Sequence, residues 1–65
     1  MKDGRKKANI VVGSEVEVVK KEDQDTGNLT MGVVKKILTK APIHPHGIKV
    51  LLESGEVGRV KDVLD

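Results

Sequence analysis

Apolar positions along this chain recur mostly at every second residue, in short runs broken by glycine, proline and charged clusters. Val16 and Val18 alternate with Glu17 after a Gly13–Ser14 turn, the period of a half-buried strand. Leu29, Met31 and Val33 alternate with Thr30 and Gly32. Val34 to Leu38 breaks that alternation, and a bend or bulge near Gly32 to Val34 explains the break. Ile48, Val50 and Leu52 restore the period of two, Glu53 to Glu56 reads as a hairpin turn with glycine at the strained position, and Val57 to Val60 reads as a short strand. Val60, Val63 and Leu64 stand at helical spacing, which predicts a terminal helical or 3-10 turn. Between the first two strands, Glu22 to Asn28 is a polar connection in which Gly27 or Asn28 takes a positive φ at little cost. Four to five short, closely joined strands predict an all-β fold, a small SH3-like (or OB-like) barrel.

Composition narrows this picture. Val, Ile and Thr fill eighteen of the 65 positions, which favours sheet, and Ala, Leu and Gln are too scarce for a helical bundle. Cysteine is absent, so no disulfide or thiolate-held metal can form, and that usage fits a cytoplasmic protein. No apolar run approaches the roughly 20 residues of a membrane span. Ala8 to Val12 is too short for the apolar part of a signal peptide. A substrate-enclosing core is not expected, because about 60 residues bury only about 60% of their unfolded surface. Residues 1–8 are expected to be a disordered basic arm, and 9–65 a single small domain, monomeric and without a membrane role.

The small net charge of +2 hides a segregated layout. The first fourteen residues are basic, and Glu15 to Asp25 is acidic. Thr26 to Leu52 holds no acid but carries Lys35, Lys36, Lys40 and Lys49 with His44 and His46. Such local asymmetry bears on partners more than the total does.

Motifs of catalysis are missing. There is no phosphate-binding glycine loop, no cysteine nucleophile, and neither serine stands in a nucleophile-elbow pattern. The acids Glu22, Asp23 and Asp25 lack the glycine and closing glutamate of a calcium loop. No catalytic residue, no cofactor and no metal site is therefore assigned, and an enzyme is not expected. The most specific feature is Ala41-Pro42-Ile43-His44-Pro45-His46-Gly47, in which two prolines stiffen a loop that presents two imidazoles. Three roles fit it: a stiff closure of the barrel with locally bonded histidines, a phosphate or base contact, or a metal pair. The last needs a third ligand that the acid-free stretch does not supply.

If the barrel gathers Lys35, Lys36, Lys40, His44, His46, Lys49, Arg59 and Lys61 on one side, they form a positive face suited to phosphate. Lysines on strand exteriors equally serve to keep edges from pairing with other chains. With no Phe, Trp or Tyr, base stacking worth about 1–3 kcal/mol per base is unavailable, so any nucleic acid must be held by backbone and shape. The expected role is a non-enzymatic binding module for structured RNA or a ribonucleoprotein surface. The alternative is a protein–protein interaction module with no nucleic-acid role.

The run Asp25-Thr26-Gly27-Asn28-Leu29-Thr30-Met31-Gly32-Val33-Val34, then Ile37-Leu38-Thr39, His44-Pro45-His46-Gly47-Ile48-Lys49-Val50 and Gly55-Glu56-Val57-Gly58-Arg59-Val60, resembles the YwbE-like family of small bacterial and archaeal proteins. The resemblance spans roughly residues 9 to 64. It implies a free-standing cytosolic protein of single-domain size, and it carries over no catalytic residue.

Overall fold

A computed structural model of the protein describes residues 2–64. Five strands form one antiparallel sheet: β1 (Lys2–Asp3), β2 (Glu15–Lys20), β3 (Thr30–Ile37), β4 (Lys49–Leu52) and β5 (Val57–Val63). Their order is β1-β5-β2-β3-β4, and β4 pairs back onto β5. The last four strands therefore close a barrel, and β1 adds to it from outside, an all-β architecture of the small SH3-like or OB-like kind that the strand pattern predicts.

The core is aliphatic throughout. Ile10, Val16, Val18, Val34, Ile48, Val50, Leu52, Val60 and Val63 are buried together, with Ile37 packed against them. Short β-branched side chains suit so narrow a barrel, because they fill it without the length that a ring would demand. Gly32 makes room for this: a Cβ there would stand 2.7 Å from Cδ1 of Leu52, so any larger residue would make the buried Leu52 side chain shift.

Gly32 also decides which face of β3 turns inward. Gly32 and Val34 face the core, so the alternating set Leu29, Met31 and Val33 faces away from it. Met31 is 62% exposed and Leu29 48%. Apolar alternation marked the strand correctly, but the glycine side is the packed one.

Two bulges close the barrel. On β3, Val34 pairs with Leu52 and Lys36 with Leu51, which leaves Lys35 as an extra residue. On β5, Val60 pairs with Val18 and Asp62 with Glu17, which leaves Lys61 extra. Each extra residue sharpens the local bend and shifts the inward side by one position. The β3 bulge falls just beyond the Gly32–Val34 stretch in which the sequence predicts it. The β5 bulge overturns the expected helical turn: Val60 and Val63 are three residues apart because Lys61 bulges out between them, and Val57–Val63 is strand to its end.

The amino-terminal segment also departs from expectation. Residues 2–8 are not a loose arm in this structure. β1 pairs with Asp62 and Val63, the buried Gly4 accepts from Ile48 N–H at 2.9 Å, Lys7 N–H donates to the Pro42 carbonyl at 2.8 Å, and Lys6 bridges Ile43. What holds this segment is backbone pairing, to which charged side chains are no obstacle. Met1 lies outside the described residues.

Candidate nucleic-acid interface

Strand alternation turns Arg59 outward, between Val19 of β2 on one side and Lys49 of β4 on the other. Val19 is only 6% exposed, and the 3-10 turn Lys21–Asp23 that follows β2 leads on to Gln24 beside it. Two open clefts result, sharing Val19, Gln24 and Arg59. One, of about 410 Å³, is completed by Gly27, His46 and Lys61. The other is completed by Lys21, Lys49, Val57 and Gly58. No carboxylate lines either cleft.

Two nearby acids, Glu22 and Glu56, are drawn to Lys20. Lys20 Nζ lies 2.8 Å from Glu56 and 3.8 Å from Glu22. Lys20 and Ser54 together hold the Glu56 carboxyl below its ordinary range. Among the described residues, the ion pairs are those of Lys20 and the Arg5–Asp3 pair, so Arg59, Lys49, Lys61 and Lys21 face the clefts without a carboxylate partner. Arg59 is half-buried and is steadied by donating from Nη1 to the Gly47 carbonyl at 3.3 Å.

The proline-stiffened loop borders the first cleft. Its two imidazoles have different surroundings, with ring centroids 5.8 Å apart. His44 is half-buried, and its Nδ1 accepts the backbone N–H of His46 at 3.1 Å, which bonds the loop to itself. Burial first, then the positive charges of Arg59 and His46, push the His44 pKa below its usual value, so the neutral ring that the hydrogen bond requires is favoured. His46 is exposed and lines the cleft. Gly47 ends the loop at φ +101°, and a Cβ there would sit 2.3 Å from the Val60 carbonyl oxygen, so glycine alone fits. Among the described residues, no group of three or more metal-ligating side chains occurs. None of their helices is long and apolar enough to cross a membrane.

Of the eight residues singled out in the sequence, His46, Lys49, Arg59 and Lys61 line these clefts. Lys36 is exposed and pairs with Leu51, which in turn pairs with Val57, so it extends the same outer face by one strand. Lys35, the bulged residue of β3, and Lys40, whose carbonyl accepts from Lys7 Nζ at 3.4 Å, line neither cleft. His44 braces the loop from behind. Sequence reading missed Lys21 and Gln24, which belong to what looks like an acidic connection. Their one available signal is position, immediately after a strand whose last residues pair with the strand carrying Arg59.

The chain matches, over residues 3–63, a family described as an uncharacterized conserved protein (DUF2196). It is 50% identical over 62 residues to an uncharacterized protein YwbE of Bacillus subtilis (strain 168), an alignment that covers 95% of each chain. No solved structure matches it. A match across nearly the whole chain, together with half-identity to YwbE, places this protein in the DUF2196, or YwbE-like, family of uncharacterized proteins.

Proposed function

We propose that this protein is a non-enzymatic, cytoplasmic, monomeric module that binds structured RNA, free or on a ribonucleoprotein surface, through the phosphate backbone. The observation that carries the reading is the pair of acid-free clefts around Arg59, where Lys21, Lys49, Lys61 and His46 meet without a carboxylate. Cations without partners are solvated at little cost and gain most from phosphate, whose counterions they release. The chain has no aromatic ring to stack on a free base, which favours a partner recognised by shape.

The test is fluorescence anisotropy with an RNA hairpin over a range of salt. With about four phosphate contacts, log affinity is expected to fall against log salt with a slope near −3. A flat response, or no binding at low salt, ends the reading.

A second reading, a protein-interaction module, has its own observation. Leu29 and Met31 stand exposed on the outer side of β3. It predicts that one partner is still captured after nuclease treatment and is lost on Met31→Lys.

A further inference from the structure

Given the RNA reading, the two clefts differ in what they suit. The cleft with Lys21 and Lys49 offers point charges beside the apolar Val57, a surface for a passing backbone. The other brings two cations and a histidine around one cleft that Val19 also lines: the guanidinium of Arg59, the ammonium of Lys61 and the imidazole of His46.

Each of the three is set in place by the fold. Arg59 gives one Nη1 hydrogen bond to Gly47 and has no carboxylate partner among the described residues for the rest of its fork. His46 follows Pro45, and its backbone is bonded to His44. Lys61 is released by the β5 bulge. Had the pairing of Val18 with Val60 continued in register, Lys61 would stand opposite Glu17; the shift puts Asp62 there instead. His46 and Lys61 also line a neighbouring cleft with Asp3, Arg5 and Asp62; there Asp3 is paired with Arg5 at 2.9 Å, and Asp62 lies on the far side of Lys61 from the first cleft's lining.

An internal phosphodiester carries one negative charge and two free oxygens. A phosphate monoester carries about −1.5 to −2 near neutral pH and three acceptor oxygens. A guanidinium, an ammonium and an imidazole lining one cleft offer more donors than a diester can use and fit the monoester better. We propose that the Arg59–Lys61–His46 cleft seats a phosphate monoester dianion, the phosphorylated end of an RNA strand. The rest of the strand then runs toward Lys49 and Lys21.

The experiment compares one RNA hairpin with a 5′-phosphate, a 3′-phosphate or hydroxyl ends, with inorganic phosphate titrated separately while the His46 and Arg59 side-chain NMR signals are followed. One of the phosphorylated hairpins is expected to bind ~10-fold tighter than the hydroxyl form. His46→Gln and Lys61→Gln should bring that ratio to one, whereas Lys36→Gln should weaken all forms alike and keep it. Equal binding of all three hairpins overturns this inference and leaves the RNA reading standing. If no hairpin binds but inorganic phosphate shifts both signals, the RNA reading fails and the cleft belongs to a small phosphate ligand. Silence in every arm removes both.

Discussion

Two rows of side chains lie side by side on the outer surface of the same strands, and they carry opposite charge. One crosses Val19, Arg59 and Lys49. The other crosses Asp3, Asp62, Glu17 and Met31. In the first row no charged group faces a partner of opposite sign, and in the second Asp62 and Glu17 are like charges directly opposed, an arrangement that costs stability. Lys61, which a regular ladder would place against Glu17, is instead turned toward Arg59 and His46. The strand forgoes a favourable cross-strand pair and accepts an unfavourable one. The same shift closes the barrel and carries Val63 into the core, and its electrostatic cost falls on the surface, where it leaves Lys61 beside Arg59.

The two rows can be broken together or separately. The largest effect is expected of Gly47→Ala, which drives a Cβ into the Val60 carbonyl from a backbone with positive φ, and Val60 lies in β5 between Arg59 and Asp62. A loss of at least ~3 kcal/mol is expected in urea unfolding, and a variant as stable as the parent would remove this account of the loop. Arg59→Gln dismantles the cationic row alone. It should weaken hairpin binding by ~10-fold or more and make the salt slope shallower by about one, with little change in the unfolding midpoint. Asp62→Asn acts on the other row and sharpens the contrast. It should stabilise the fold by roughly 0.2–1 kcal/mol and tighten RNA binding slightly; a destabilised variant would mean that the opposition of Asp62 and Glu17 is not a cost.

The smallest effects are pH dependences. His44 has a folded pKa below its usual 6.5, so the unfolded chain takes up a proton before the folded one does. Stability should hold above about that pH and decline as pH falls below it, visible as a lower urea midpoint at acid pH and flattened in His44→Gln. Asp3, held at about 2 mainly by its hydrogen bonds from Arg5, behaves differently. Its contribution is present above the ordinary carboxylate range and is lost only as pH falls through about 2, which a carboxyl-carbon NMR titration reads directly.

Much of the fold was legible because alternation is a local property. Val16 with Val18, and Ile48 with Val50 and Leu52, mark inward faces whatever their neighbours do, and Gly55 marks its hairpin. The stiffness of the Pro42–Gly47 loop was legible for the same reason. Half of the candidate cations, His46, Lys49, Arg59 and Lys61, do line the clefts. Lys35 and Lys40 do not, because nothing within Lys35-Lys36 or Thr39-Lys40 says on which side of a bulge or loop each will lie. Lys21 and Gln24 were hidden by the acids around them.

By itself, then, the order of residues determined the four barrel strands, the aliphatic core, the turns and the stiff histidine loop, because each depends on periodicity or on the dihedral limits of single residues. Only the tertiary structure decided that Gly32 rather than Met31 faces the core, that residues 2–8 join the sheet, and that Val60 and Val63 are separated by a bulge and not by a turn of helix. Those outcomes depend on register between strands distant in the chain. A one-residue shift in register exchanges the faces of a strand, and it is the closure of the barrel that selects the shift.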